Sequence, residues 1–222
     1  MTYENLPSWP KELQTLVDSF LDMRCRYQAA LREVRTQLEI LDDEFQMRHS
    51  RNPIHHMESR IKTPQSIAQK LVRKGLPLLP SAAMENLHDI AGIRVVCAYL
   101  NDVYTISDLL SKQDDVQVLQ IRDYIQHPKP NGYRSLHMIV QVPVFLSQGR
   151  LELPVEVQIR TIAMDFWASL EHQIRYKESV TVPESLNHQL YDAAQRIASL
   201  DADMQDIHDQ MIRLVKESIP ET

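Results

Sequence analysis

Between residues 135 and 161 the chain twice alternates apolar and polar side chains with a period of two, and that pattern constrains the fold more than any other. Leu136, Met138, Val140 and Val142 fall on one face of the first run, and Val155, Val157 and Ile159 on one face of the second, because successive side chains of a strand point to opposite sides. Two such strands form a sheet with one dry face, and a dry face needs helices packed over it. The opposite faces carry Tyr133, Ser135 and His137 in the first run and Glu156, Gln158 and Arg160 in the second. For either strand alone an ordinary solvated face explains this. Together they bring Tyr, His, Glu, Gln and Arg to one surface that can line a site.

Helical periodicity marks both ends of the chain. Residues 11–48 read as a helix opened by Leu13, Val17 and Phe20, with Tyr27, Leu31, Val34, Leu38, Leu41 and Phe45 following in steps of four and three. A second seam runs through Leu186, Leu190, Ala193, Ile197, Leu200, Met204, Ile207, Met211 and Leu214. Each seam requires burial, either within the chain or against another copy. Between them, Pro53 and Pro64 punctuate a loop. Thr63 caps a helix with Pro64 at its first position, running to about Lys74 and stopping at Gly75. Strands are expected over 93–100, 116–125, 135–144 and 154–161, and helices over 103–111, 162–177 and 186–215. The fold class is α+β, a mixed β-sheet flanked by helices with long N- and C-terminal helices. It divides into an N-terminal helical extension (1–50), a central α/β region (51–177) and a C-terminal helical segment (178–222).

Composition narrows the chemistry. With four glycines in 222 residues, no Gly-rich loop can wrap a phosphate in backbone N–H groups, so side chains must hold it. Residues 178–222 hold three basic and nine acidic side chains, which accounts for the whole net charge of −6. Residues 51–75 hold Arg51, Arg60, Lys62, Lys70, Arg73 and Lys74 against Glu58 alone. This is either a polyanion site or a solvated basic face. The acidic balance and 6% aromatic content argue against an interleaved basic–aromatic surface for nucleic acid. Cys25 and Cys97 form no metal or redox pattern and read as reduced thiols. No basic region followed by an apolar run opens the sequence, and no apolar stretch is long enough to span a bilayer, so a cytoplasmic protein without a membrane partner is expected.

In His88-Asp89-Ile90-Ala91-Gly92-Ile93-Arg94, Asp89 precedes a buried strand. It either caps a turn or, with Glu156 across the sheet, holds Mg²⁺, which takes one or two carboxylates plus substrate phosphates. His88-Asp89 also matches the His-Asp pair of metal-dependent phosphohydrolases. His55 and His56 are present for that reading, but no matching distal Asp is.

Five segments in order resemble the alarmone synthetases. They are Arg60-x-Lys62 with Ser66, Lys70 and Arg73; Asp89-Ile-Ala-Gly-Ile-Arg94; Gly132-Tyr133-x-Ser135-x-His137; Glu156-Val-Gln158-Ile-Arg160-Thr161; and Trp167…Glu171-His172…Tyr176-Lys177. The resemblance covers about residues 58–177 and implies a nucleotidyltransferase-like synthetase fold. It implies transfer of pyrophosphate from ATP to the 3′-hydroxyl of GDP or GTP, with release of AMP, in stringent-response signalling. The hydrolase and regulatory domains of the long members have no counterpart here, so the chain resembles a stand-alone small alarmone synthetase.

By the same resemblance Asp89 and Glu156 are the catalytic and metal-binding carboxylates, with Mg²⁺ as cofactor and Glu156 also accepting the 3′-hydroxyl proton. Arg60, Lys62, Ser66, Lys70, Arg73 and Arg94 bind ATP, the two arginines clamping the adenine. Arg122, Lys129, Tyr133, His137, Gln158 and Asp165 bind GDP or GTP, with Tyr133 stacking on guanine. The family more often has Asn or His at Asp165, and an acidic side chain there can alter acceptor binding. Trp167, Glu171 and Tyr176 fall at helical spacing and suit packing as well as function. Implied partners are the two nucleotides and a homotetramer of the chain, with allosteric (p)ppGpp or single-stranded RNA left open. A non-catalytic RNA-binding regulator, and a nucleotidyltransferase with another acceptor that releases pyrophosphate, are the alternatives.

Overall fold

The computed structural model describes residues 10–176 and 183–218. Five strands, β1 (Ile54–Ile61), β2 (Ala91–Cys97), β3 (Gln117–Asp123), β4 (Leu136–Leu146) and β5 (Gly149–Thr161), form one sheet in the order β1-β2-β5-β4-β3. The central β2–β5 ladder is parallel and the other three are antiparallel. β4 and β5 make a hairpin closed at Leu146 and Gly149. Gly149 sits at φ 124, where a side chain would be strained.

The expected dry face is where the core lies. Met138, Val140, Val142, Val155, Val157 and Ile159 are all fully buried. Across them run α1 (Lys11–His49) and α4 (Leu100–Ser111). Met23, Tyr27, Ala30, Val34 and Leu38 of α1, and Val103, Ile106 and Leu110 of α4, pack into the same cluster. The N-terminal seam is thus buried from Met23 to Leu41 on the chain's own sheet, the intramolecular alternative of the two. Its stripe is wide because α1 lies along a sheet rather than along one partner helix.

α2 (Pro64–Arg73) starts as expected: Thr63 Oγ1 accepts from the Ser66 amide at 3.2 Å, and Pro64 needs no partner. Ile67 and Leu71 are buried, which leaves Ser66, Lys70 and Arg73 to the other face at helical spacing. A short α3 (Pro80–Asn86) follows. On the far side, α5 (Ile162–Tyr176) and α6 (Glu184–Ser218) share a second cluster of Trp167, Ala168 and Ala194. No helix among the described residues is long and apolar enough to cross a membrane.

Three local expectations are corrected. The stretch between Pro53 and Pro64 is mostly strand β1, not loop. As an edge strand it pairs on one side only, so it carries polar residues on both faces and lacks the apolar alternation of an inner strand. Ser135 does not join the wet face: it precedes β4, is fully buried and donates to the Ile159 carbonyl at 3.1 Å. Arg51 does not belong to a polyanion cluster, because its guanidinium pairs with the buried Asp102 at 2.7 and 2.9 Å. Lys177 lies outside the described residues, as does the Tyr176 side chain.

If α1 is a core element, its buried side must carry the stability. Leu38→Ala, at a site with no exposure, should cost about 2–5 kcal/mol in denaturant unfolding. Ile40→Ala, two residues on and 60% exposed, should cost less than about 0.5 kcal/mol. Equal effects would mean that α1 does not pack as described.

Candidate active site

Strand register assembles the cleft as two rungs across the sheet. The first joins Arg60 on β1, Gly92 on β2, Glu156 on β5 and Ile139 on β4. The second joins Glu58, Arg94, Gln158, His137 and, on β3, Arg122. Members of the two rungs are two residues apart on each strand, so all project from the face opposite the core. Gly92 leaves a bare floor between two charged neighbours: a Cβ there would lie 3.9 Å from both Arg60 Nε and Glu156 Oε2.

Asp89 lies in the turn before β2, which the Lys62 amide ties to β1 by donating to the Ile90 carbonyl at 2.8 Å. Lys62 Nζ and Lys70 Nζ both donate to Asp89 Oδ2 at 2.6 Å, whereas Oδ1 is buried without a partner. Burial alone would raise this carboxyl, but the hydrogen bonds and charges of the two lysines outweigh it and hold it below the usual carboxylate range. Glu156 behaves alike. Burial raises it, and hydrogen bonds from His137 and Gln158 bring it below its ordinary value. Gln158 Nε2 donates to Glu156 Oε2 at 2.9 Å, and His137 Nδ1 lies 3.5 Å from Oε1.

On the β4 side, Tyr133 Oη and His137 Nε2 are 2.8 Å apart, and Tyr124, Tyr133 and His137 meet edge to face. Lys129 Nζ stands 4.6 Å from the ring centres of both tyrosines. Burial pushes the Tyr133 phenol up, keeping it protonated. Arg94 Nη1 donates to Glu58 at 3.0 Å and lies 3.5 Å from Asp165. Asp165 is also 3.4 Å from Arg160. A cavity of about 370 Å³ opens between Arg60, Arg94, Tyr133, Gln158, Arg160 and α5.

The structure therefore brings Arg60, Lys62, Lys70, Asp89, Arg94, Tyr133, His137, Glu156, Gln158 and Asp165 around one cleft. Ser66 and Arg73 flank it on α2, with Arg73 exposed, and Arg122 and Lys129 are exposed at the β3 side. Trp167 is buried against α6, and Glu171 lines the cavity. The Trp167 indole donates to the Leu190 carbonyl at 2.9 Å, and Glu171 accepts from Asn131 at 3.1 Å. The phosphohydrolase reading fails on geometry. His56 pairs with Val96 at one end of the β1–β2 ladder, and Asp89 lies beyond Ala91 at the other. No group of three or more His, Cys, Asp or Glu able to hold a metal occurs among the described residues. Arg160 shows in the sequence as a polar residue of the alternation and as a member of the fourth motif; nothing there marks it as buried, or as bonded to both Tyr133 and Gln158.

The chain is similar to known proteins in sequence and in fold. The family described as the region found in RelA and SpoT proteins matches residues 59–181. The chain is 42% identical to the GTP pyrophosphokinase YwaC of Bacillus subtilis over 193 residues, 87% of this chain and 92% of that protein. The crystal structure of small alarmone synthetase 2 from the same organism superposes with a TM-score of 0.77 at 42% identity, covering 84% of this chain and 97% of that one. Small alarmone synthetase 1 from Bacillus subtilis, bound to its product pppGpp, gives a TM-score of 0.77 at 34% identity, covering 83% and 94%.

Asp89→Asn would leave Lys62 and Lys70 converging without a counter-charge. A carboxyl held below its ordinary value stabilises the fold above the usual carboxylate range and loses that contribution as pH falls through the depressed value. The unmodified chain should therefore melt above Asp89→Asn at neutral pH, and the gap should close below about pH 4. A gap that acid leaves unchanged would show that the pairing contributes nothing.

Proposed function

This chain belongs to the family of the region found in RelA and SpoT proteins and is a small alarmone synthetase, a GTP pyrophosphokinase; from that premise we propose that the strand order β1-β2-β5-β4-β3 sorts its two nucleotides to either side of Glu156. The reaction moves the terminal pyrophosphate of ATP to the ribose 3′-hydroxyl of GDP or GTP and releases AMP. The observation that carries the division is the position of β5. On its β2–β1 flank stand Arg60, Lys62, Lys70 and Arg94, with Ser66 and Arg73 on α2, and these take ATP. On its β4–β3 flank stand Tyr133, His137, Lys129 and Arg122, and these take the guanine nucleotide, with Gln158 and Asp165 at the boundary.

The chemistry follows from that placement. The 3′-oxygen attacks the β-phosphorus, the bond from β-phosphorus to the oxygen bridging to the α-phosphate breaks, and AMP leaves with that oxygen. Glu156, ionised and held by two donors, takes the 3′-hydroxyl proton. Arg60 and Arg94 offer flat guanidinium faces to the adenine. Lys62 and Lys70 transfer their charge from Asp89 to the arriving phosphates, which frees the carboxylate. The donor set fits Mg²⁺: two hard carboxylates, Asp89 and Glu156, with Asp89 Oδ1 buried and unpaired, leave the remaining positions to phosphate oxygens and water. When bound, Mg²⁺ supplies charge neutralisation at the phosphates and a template for in-line geometry. Residues 51–177 form the catalytic region in this reading, and we place its work in the cytoplasm.

With ATP, Mg²⁺ and GDP, AMP and guanosine tetraphosphate should form in equal amounts, as separated by anion exchange. Pyrophosphate release would instead indicate nucleotidyl transfer. Glu156→Gln should lower turnover by at least about 10²-fold. Tyr133→Ala should act on the KM for GDP, since a lost stack is worth roughly 1–3 kcal/mol. An effect of Tyr133→Ala on ATP alone would sink the division.

Assembly as a homotetramer is part of the same reading. α6 docks on its own domain through polar contacts: Thr161 donates to Asp201 at 2.7 Å, the Asn101 amide donates to Gln205 at 2.9 Å, and His208 stacks on Tyr99 at 3.9 Å. Its apolar row Leu200, Met204, Ile207, Met211 and Leu214 faces outward, each 45–60% exposed. Such a row is best covered by the same row of another copy. Light scattering should give four times the 25.8 kDa chain mass. Met204→Glu with Ile207→Glu should break the assembly without unfolding the chain. A monomer at micromolar concentration in the unmodified protein would overturn it.

A further inference from the structure

Arg160, at the end of β5, is 3% exposed and lies behind the cleft. Its Nη2 donates to Gln158 Oε1 at 2.8 Å and to Tyr133 Oη at 3.2 Å. A guanidinium has donors only and stays charged, so it fixes the direction of each hydrogen bond that follows from it. Gln158, accepting through its oxygen, must turn its amide nitrogen the other way, and that nitrogen meets Glu156 Oε2 at 2.9 Å. Tyr133 Oη, accepting from Arg160, keeps its own hydrogen free to donate to His137 Nε2, 2.8 Å away. The neutral imidazole then carries its hydrogen on Nδ1, the atom that faces Glu156 Oε1 at 3.5 Å. One chain of donors thus runs from the guanidinium through Gln158 to Glu156 Oε2, and a second, through Tyr133, brings His137 Nδ1 to 3.5 Å from Oε1.

We propose that Arg160 is the positioning residue of this site: by setting the Gln158 amide and the His137 tautomer it presents a donor to each oxygen of Glu156, and by holding Tyr133 it locks the acceptor's stacking ring to the same frame. The proposal rests on the reading of Glu156 as the proton acceptor. Stability is a poor explanation for Arg160. Its counter-ion Asp165 is 3.4 Å away and shared with Arg94, and its Nε is buried without a partner. Desolvating a guanidinium is costly under those conditions, and an apolar residue would serve the core better. The network also explains why Tyr133 and His137, four residues apart around the start of β4, bear on the same carboxylate as a residue of β5.

The test reads the histidine directly. The protein is labelled with ¹⁵N-histidine and measured without nucleotide about two pH units above the ordinary histidine value, where imidazoles are neutral. His137→Gln assigns the signal among the nine histidines. The unmodified chain should show His137 as the Nδ1–H tautomer. Arg160→Met should shift it toward Nε2–H, lower kcat by about 10–100-fold and raise the KM for GDP, while the KM for ATP changes less than about threefold. Arg160→Lys, whose rotatable ammonium on a shorter side chain holds neither partner in a fixed direction, should leave most of the kcat loss in place. If Arg160→Met fails to fold, Tyr133→Phe cuts the same arm and must also shift the tautomer. An Nε2–H tautomer in the unmodified chain, a tautomer indifferent to these variants, or an unchanged kcat would each overturn the proposal. Absence of AMP formation by the unmodified chain would sink the synthetase reading instead, and the tautomer would still report on Arg160.

Discussion

Seven residues of β2 lie parallel to seven of β5 in the middle of the sheet, and that ladder places Arg94, Glu156, Gln158 and Arg160. A parallel pair cannot close through a hairpin, so the two strands come from distant parts of the chain, 91–97 and 149–161. Their pairing is fixed by burial on the core side. A slip of one residue would turn Val155, Val157 and Ile159 to solvent and Glu156 and Gln158 into the core. The register that buries the valines is therefore the register that sets Gly92 beside Glu156 and Arg94 beside Gln158. Core packing and site geometry are one constraint here, satisfied on opposite faces of the same strands.

On the wet face, charges pair before any nucleotide arrives. Asp89 pairs with two lysines and leaves one positive charge over, Glu58 and Asp165 share Arg94, and Glu156 accepts from Gln158. This arrangement suits phosphate chemistry without a glycine loop. Cations held by carboxylates stay folded and directed inward, and a polyphosphate can then compete for them with several charges at once. The cost is a cleft crowded with ionised groups, and the dry face under α1 and α4 offsets it. That is why α1, which contributes no side chain to the cleft, is needed for it.

Legibility in the sequence followed the physics of burial. β4 and β5 were plain because each is buried on one face and solvated on the other, so alternation reports them. β1 was missed because an edge strand such as Ile-His-His-Met-Glu-Ser-Arg-Ile is held by main-chain bonds to β2, which leave no trace in side-chain pattern. The family's ordered motifs picked out residues that the sheet brings to one cleft. Local charge counting did less well: of the cations in 51–75, Arg51 is bound to Asp102 and Lys74 to the Asn86 carbonyl. Direction in space, not charge, separates them from Lys62 and Lys70. Ser135 and Arg160 show the same limit from the polar side. Both looked like wet-face residues, and both are buried because neighbours supply hydrogen-bond partners that the chain order does not reveal.

The C-terminal helix ties the outer surface of the molecule to the Tyr133 side of the cleft. The loop carrying Lys129 and Tyr133 is closed on itself, with the Lys129 amide donating to the Tyr133 carbonyl at 3.1 Å and the Gly132 amide to Lys129 at 2.8 Å. α6 lies directly behind it. Gly132 holds φ 86, and a Cβ there would fall 2.6 Å from the Ala194 Cβ, so both the backbone conformation and the contact require glycine. From the other side Trp167 of α5 anchors α6 through the Leu190 carbonyl, and Tyr133 packs against the cluster so formed. Packed interiors do not deform smoothly. A displacement of α6 at Ala194 must therefore move Gly132, and with it the neighbouring ring that meets His137. The helix whose apolar row faces outward from Leu200 onward is, less than two turns earlier at Ala194, the wall against which the loop carrying Tyr133 is set.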